Sequence, residues 1–123
     1  MVYSVDDDTK WLDRTRDYLR DQQLPTENLL ALDDFLNTNM GGFDCLLMDL
    51  NFVEVRIQFI RQALAHLEAG GLAVFDDVHK LDYRRLTIKI LSSEVGTTYS
   101  LKPVTKDSFG RFAYAFVSGQ HGA

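Results

Sequence analysis

The segment Cys45-Leu46-Leu47-Met48-Asp49 is a short apolar run that stops at an acidic residue. Short apolar runs separated by helix-like stretches are typical of buried parallel strands in an α/β sheet. Because parallel strands point the same way, their carboxyl ends meet at one edge of the sheet, where ligands bind in open α/β folds. Three further runs end in the same way: Val2–Asp6, Leu29–Asp33 and Leu72–Asp76. The sequence therefore predicts a row of carboxylates at the binding edge, suited to a ligand with hydroxyl groups, a positive charge or a metal ion.

The stretches between these runs predict helices, and the end of the chain predicts a hairpin. Apolar residues recur at helical spacing before Gly70-Gly71, which we interpret as a helix stop. Strands over 98–104 and 111–117 are joined by a short polar connection, which favours an antiparallel hairpin. The predicted helices cover 9–23, 55–67 and 83–93, with a helical turn over 33–39. We predict an α/β fold: a Rossmann-like, mostly parallel sheet with helices on both faces and a C-terminal antiparallel hairpin.

Composition limits the class of protein. The chain has 123 residues, of which 46% are hydrophobic and 25% charged, enough for one globular domain. A net charge of −5 argues against a nucleic-acid partner. The sequence has no signal peptide and no apolar stretch long enough for a bilayer, so we expect a soluble, cytoplasmic protein without a membrane partner. Cys45 lies inside an apolar run, so we expect a buried thiol without a disulfide partner.

The middle of the chain resembles a known family. The segment 43–49, an apolar strand ending in Asp, precedes a helix; the segment 67–78 then contains Leu-x-x-Gly-Gly and a second apolar strand ending in acid. This order is similar to the centre of class I S-adenosylmethionine-dependent methyltransferases, and the closing hairpin is similar to their last two strands. The resemblance implies S-adenosylmethionine as the cofactor. It places Asp6 where an acid holds the ribose hydroxyls and Asp33 where an acid commonly faces the adenine amino group.

One part of the family pattern is absent. In the family a first strand and a glycine-rich loop precede the strand that corresponds to 2–6, and that loop approaches the methionine part of the cofactor. No glycine of this sequence opens a helix after a predicted strand. We therefore interpret 1–123 as a single, truncated methyltransferase-like domain with weak or lost cofactor binding and no independent catalysis. Its catalytic residues and small-molecule substrate are unknown, and the sequence leaves both retained catalysis and a non-enzymatic remnant of the fold open.

The acids at the strand ends also suggest a cation. In metal-dependent O-methyltransferases, the positions of Asp49, Asp76 and Asp77 hold a divalent cation, so the resemblance implies a Mg²⁺ site. Neighbouring strands lie about 4.8 Å apart, and two carboxylates at about 5 Å repel by roughly 3 kcal/mol at an effective dielectric constant near 20. A Mg²⁺-like ion or protonation of one acid would relieve this repulsion. The alternative is that these acids cap helices or are solvated.

A second class of protein shares part of the pattern. The acidic run at 6–8 resembles the Mg²⁺-binding start of a response-regulator receiver domain, and Asp49 then corresponds to its phosphorylated residue. Lys102 also stands near the distance expected in a receiver. Against this hypothesis, the strand that ends at Asp76 lacks the receiver's hydroxyl residue, and the closing hairpin has no receiver counterpart. An all-parallel sheet that ends in a helix after Val104 would favour the receiver.

The absent first strand has a consequence for assembly. In the family it lies between the strands that correspond to 2–6 and 45–49, so each would have an edge of unpaired backbone groups. Burying such groups without partners costs about 1–3 kcal/mol each. Either 2–6 shifts to pair with 45–49, or a second chain covers the surface. Because a shift would uncover Trp11 and Tyr18, we expect a homodimer with the N-terminal strand or the Trp11 helix at its interface.

Overall fold

The computed structural model describes residues 2–38 and 40–119, which fold into two compact units. The first unit spans Met1–Met40 and the second spans Gly41–Ala123. One described sheet has two strands and the other has four. The interpretation of 1–123 as a single domain stays a prediction.

The first unit contains a parallel strand pair and two helices. Its elements are β1 (Ser4–Asp6), α1 (Thr9–Asp21), β2 (Leu29–Ala31) and α2 (Leu32–Asn37). β1 pairs with β2 in parallel, with Asp6 opposite Ala31. α1 begins where Asp8 Oδ1 accepts a hydrogen bond from the backbone N–H of Lys10 at 2.9 Å, which satisfies one of the free donors of the first helical turn. The order of strand and helix is the one that the sequence predicts.

The second unit is a four-stranded mixed sheet with helices. Its elements are β3 (Phe43–Met48), α3 (Val53–Leu64), β4 (Leu67–Phe75), α4 (Leu81–Leu91), β5 (Gly96–Ser100), α5 (Lys102–Thr105) and β6 (Tyr114–Ser118). The strand order is β3-β4-β6-β5; β3 and β4 are parallel, and β6 runs antiparallel to both of its neighbours. This confirms the α/β fold and the C-terminal antiparallel hairpin, whose β5 lies at the edge. The strand predicted over 98–104 is wrong beyond Ser100, because Lys102–Thr105 forms α5. None of the helices within 2–38 and 40–119 is long and apolar enough to cross a bilayer.

The core of the second unit follows the periodicity of its sequence. Ala73 and Phe75 are fully buried on β4, two residues apart, as one face of a strand requires. On α3 the buried positions are Arg56, Ile60 and Ala63, whose spacing of four and three residues defines one helix face. Two of these residues are apolar, and the third is charged. A buried charge needs a partner, and the partners of Arg56 define the candidate site.

The helix stop predicted at Gly70-Gly71 is wrong. α3 ends at Leu64, and both glycines lie inside β4. The ladder between β3 and β4 shifts register between Phe43 and Cys45, so the β4 segment opposite them bulges. Gly70 has a φ of +79°, in the left-handed region that favours glycine. Gly70 and Gly71 are typical of a helix end, but here they lie in an irregular part of β4.

Cys45 is exposed, so the predicted buried thiol is also wrong. Side chains two residues apart share one face of a strand, and Leu47, on the same face of β3 as Cys45, is 65% exposed. Met48 on the opposite face is buried. An apolar run alone cannot distinguish a strand that is buried on both faces from one that is covered on a single face.

The N-terminal strand pairs with its neighbour in sequence. Within 2–38 and 40–119, the strand partner of β1 is β2, and the strand partner of β3 is β4. The two arrangements that the sequence left open, a shift of 2–6 onto 45–49 and coverage by a second chain, both stay predictions.

Candidate functional site

Three carboxylates meet where β3 and β4 end. Met48 and Phe75 lie opposite each other in the parallel ladder, so Asp49 and Asp76 leave the sheet side by side. Asp77 follows directly. One carboxylate oxygen from each of the three acids lies within 4.8 Å of the other two. The structure thus brings together the three residues that the sequence places at the ends of two neighbouring strands.

The turn after β4 is shaped by its two acids. Asp76 Oδ1 accepts a hydrogen bond from the backbone N–H of Asp77 at 2.8 Å. Asp77 has a φ of +61°, in the left-handed region that Asp tolerates better than most residues. The side chain of Asp77 is 23% exposed, whereas that of Asp49 is 53% exposed. Within the cluster, the Asp77 carboxylate is therefore the more buried and the Asp49 carboxylate the more exposed to solvent.

Arg56 of α3, whose side chain is 5% exposed, contacts these acids through its guanidinium. Its Nη2 donates to Asp49 Oδ1 at 3.1 Å and to Asp77 Oδ2 at 3.4 Å. Its Nη1 donates to the same Asp77 oxygen and to the carbonyl oxygen of Asp76, both at 3.4 Å. Its Nε donates to the carbonyl oxygen of Leu50. A guanidinium has five N–H donors, and its five contacts use four acceptor oxygens, because Asp77 Oδ2 accepts from both Nη1 and Nη2.

Tyr83 of α4 packs against the same guanidinium. Arg56 Cζ lies 5.6 Å from the centroid of the Tyr83 ring, within the range of a cation–π interaction. Tyr83 is fully buried, and this burial raises the pKa of its phenol, while the Arg56 cation partly offsets the rise. Arg56 is thus held by carboxylates, carbonyl oxygens and an aromatic ring.

The positive charge of Arg56 opposes the divalent cation that the sequence predicts at these acids. The N–O distances to Asp49 and Asp77 are 3.1 and 3.4 Å, so an ion about 2.1 Å from those oxygens would lie about 5 Å from the guanidinium. At that distance a charge of +2 and a charge of +1 repel by about 7 kcal/mol at an effective dielectric constant near 20. The three carboxylates fit a divalent ion by their chemistry, but the guanidinium beside them opposes one.

A cavity of about 330 Å³ lies against the same carboxylates. Its other lining residues are Thr105, Asp107 and Arg111. Arg111 Nε pairs with Asp107 Oδ2 at 2.6 Å, and hydrogen bonds from the backbone and side chain of Arg111 hold the pKa of Asp107 below its ordinary value. Because every lining residue is polar, the cavity suits a small molecule with hydroxyl or cationic groups better than an apolar one.

The two predicted cofactor ligands lie at the carboxyl end of the strand pair in the first unit. Asp6 ends β1, and Asp33 lies in the first turn of α2, two residues after the partner of Asp6 in the ladder. Asp6 Oδ1 accepts a hydrogen bond from the backbone N–H of Asp8 at 2.8 Å. Partial burial raises the pKa of Asp6, and the Asp7 carboxylate adds to the rise. Their role as cofactor ligands stays a prediction.

The described residues fit S-adenosylmethionine only in part. Carboxylates such as Asp6 and Asp33 accept hydrogen bonds from hydroxyl and amino groups, which the nucleoside part of the cofactor has. Close approach of a ligand to backbone N–H groups at a helix start calls for glycine. Within 2–38 and 40–119, no connection from a strand to the following helix contains a glycine. These residues therefore provide no counterpart for the methionine part of the cofactor.

Solved structures share this architecture. The O-methyltransferase of Bacillus cereus in complex with S-adenosylhomocysteine has a TM-score of 0.71 at 18% identity, over 95% of this chain and 62% of that enzyme. The chain has the class I methyltransferase fold. An rRNA methylase of Streptococcus thermophilus has a TM-score of 0.69 at 18% identity, over 97% of this chain and 74% of its own. TomG, an O-methyltransferase of Streptomyces achromogenes in complex with S-adenosylmethionine, has a TM-score of 0.66 at 18% identity, over 94% of this chain and 60% of that enzyme.

The chain spans less than the full length of these methyltransferases, between 60% and 74% of it. No family model and no curated protein matches the sequence. The methyltransferase fold agrees with the predicted fold class. It does not support the receiver hypothesis, because β6 runs antiparallel between β4 and β5, whereas a receiver would need an all-parallel sheet.

Arg56 is a site residue that sequence analysis missed. It is not apolar, so the apolar stripe of α3 does not indicate it, although it stands four residues before Ile60 and seven before Ala63. An arginine at that spacing is on the core face of the helix. Since charged residues are rarely buried without partners, its position indicates a buried ion pair, and the acids at the ends of the neighbouring strands are its natural partners.

Proposed function

We propose that this chain is a methyltransferase-like domain that binds S-adenosylmethionine weakly or not at all by itself and has no independent catalytic activity. The observation that supports this proposal is the lack of glycine in every strand-to-helix connection of the described residues. Without glycine, side chains hinder the approach of a ligand to the backbone N–H groups at a helix start. Asp6 and Asp33 remain as candidate contacts, and two carboxylates alone hold a nucleoside weakly.

Calorimetric titration of the 123-residue chain with S-adenosylmethionine tests the proposal. We expect a dissociation constant of about 1 mM or weaker, which corresponds to about −4 kcal/mol of binding free energy. S-adenosylhomocysteine is titrated in the same way, because it lacks the methyl group and the sulfonium charge. The matched control is Asp6→Asn, which keeps the size of the side chain and removes its charge. Micromolar binding to the unsubstituted chain would contradict the proposal, and a tenfold weakening by Asp6→Asn would assign that binding to Asp6.

We further propose a homodimer in which α1 contributes to the interface. Trp11 and Tyr18 lie seven residues apart on α1, so they share a face, and they are 48% and 62% exposed. The guanidinium of Arg14 lies over the Trp11 ring, 4.8 Å from its centroid. Large exposed aromatic side chains with a neighbouring arginine are typical of residues that dominate protein interfaces.

Sedimentation velocity at about 100 μM protein tests the dimer. We expect the unsubstituted chain to sediment as a dimer and Trp11→Asp to sediment as a monomer, because a carboxylate at the centre of an apolar contact is desolvated without a partner. Phe109→Asp is the matched control, since Phe109 is 79% exposed in the second unit. It should remain a dimer. A monomeric unsubstituted chain at this concentration would rule out the dimer, and a dimeric Trp11→Asp variant would exclude α1 from its interface.

A further inference from the structure

We propose that Arg56 is the resident cation of the acidic cluster and takes the place of a divalent ion. Replacing Arg56 by a neutral residue should then open a divalent-cation site at Asp49, Asp76 and Asp77. This inference concerns the second unit alone and does not depend on whether the chain binds S-adenosylmethionine.

The contacts of Arg56 already occupy two of the three carboxylates that a metal would need. The guanidinium contacts the carboxylates of Asp49 and Asp77 at 3.1 and 3.4 Å, and the carbonyl oxygen of Asp76 at 3.4 Å. It therefore neutralises part of the charge that makes such a cluster attractive to a cation. A divalent ion on the same oxygens would be attracted less strongly by the partly neutralised carboxylates and would be repelled by the guanidinium.

Arg56 is also held in place. Its side chain is 5% exposed, its Nε donates to the carbonyl oxygen of Leu50, and its guanidinium lies 5.6 Å from the centre of the buried Tyr83 ring. Moving the side chain aside would break these contacts together. A metal ion would therefore have to bind beside the Arg56 guanidinium, because it could not displace it.

The carboxylates themselves are spaced for one ion. One candidate ligand oxygen from each of the three acids lies within 4.8 Å of the other two, so all three acids can face the same ion, and carboxylate oxygens are the ligands that hard divalent ions prefer. Without the Arg56 guanidinium, the repulsion among the three carboxylates is offset less, and a bound cation would offset it. A neutral residue at position 56 should therefore raise the affinity for divalent ions.

The test is a titration with Mn²⁺, an oxygen-binding stand-in for Mg²⁺, followed by electron paramagnetic resonance of the free ion. Arg56→Met preserves much of the length and volume of the side chain and removes its charge. We expect this variant to bind Mn²⁺ at least tenfold more tightly than the unsubstituted chain, and Mn²⁺ to raise its melting temperature. Asp76→Asn added to Arg56→Met should remove the gain. Arg61→Met, an exposed arginine on the same helix, changes the net charge equally and should leave the affinity unchanged.

The proposal is overturned if the unsubstituted chain binds Mn²⁺ as tightly as Arg56→Met. It is also overturned if Arg61→Met gives the same gain, because the effect would then come from net charge alone. Should Arg56→Met fail to fold, the affinity for Mn²⁺ is compared between the unsubstituted chain and Asp49→Asn. Equal and weak binding to both supports the proposal, whereas micromolar binding that Asp49→Asn abolishes contradicts it.

Discussion

Replacing Arg56 by alanine is expected to lower the free energy of unfolding by about 3 kcal/mol, since removing one partner of a buried ion pair costs about 3–5 kcal/mol. The expected loss lies at the lower end of this range because Asp49, one of the partners of Arg56, is 53% exposed and can be solvated. The loss has three sources: the carboxylates repel one another, the carbonyl oxygens of Leu50 and Asp76 lose a donor, and the aliphatic part of the side chain leaves the core.

Urea unfolding followed by circular dichroism measures this effect. Arg61→Ala is the matched control on α3, and because Arg61 is exposed we expect a change within about 0.5 kcal/mol. Arg56→Lys should recover only part of the loss. Lysine keeps the positive charge but has three donors on one nitrogen, so it cannot reach the acceptors that the planar guanidinium contacts. A loss below about 1 kcal/mol for Arg56→Ala would show that the ion pairs contribute little to stability.

The order of elements could be predicted from the sequence because it depends on local periodicity. Apolar runs identified the strands, and helical spacing identified α1, α3 and α4 to within a few residues. The acidic cluster could be predicted as well, because parallel neighbours with Met48 opposite Phe75 must place the following residues together. Neither conclusion requires knowledge of contacts between distant parts of the chain.

The features that could not be predicted depend on such contacts. Gly70-Gly71 has the local chemistry of a helix stop, and only the pairing of β3 with β4 shows that it belongs to a bulged strand. The exposure of Cys45 depends on which face of β3 is covered. The role of Arg56 depends on the rotation of α3 about its axis relative to the ends of two strands. Cofactor, metal and partner assignments remain predictions, because the shared fold with enzymes of 18% identity carries no information about individual ligands.

The second large effect is expected at Tyr83, the residue that supports Arg56 from within the core. Tyr83 is fully buried on α4, and replacement of a buried aromatic residue by alanine leaves a cavity that costs about 3–5 kcal/mol. We therefore expect Tyr83→Ala to lower the free energy of unfolding by about 4 kcal/mol. Tyr83→Phe should change it by less than about 1 kcal/mol, because the ring under the guanidinium is retained and only the hydroxyl is lost. Tyr99→Ala provides the control, since Tyr99 lies on β5 and is 52% exposed.

A double-mutant cycle shows whether the aromatic ring and the ion pairs act as one unit. Residues in contact usually have a coupling energy of about 0.5–3 kcal/mol, and Arg56 and Tyr83 are in cation–π contact. We expect the combined loss in Arg56→Lys with Tyr83→Leu to be smaller than the sum of the separate losses by about 1 kcal/mol, because each change already disturbs the other residue's contacts. Urea unfolding of the two single variants and the double variant measures this coupling. Strict additivity within about 0.3 kcal/mol would mean that Tyr83 fills space in the core and does not hold the guanidinium against the acids.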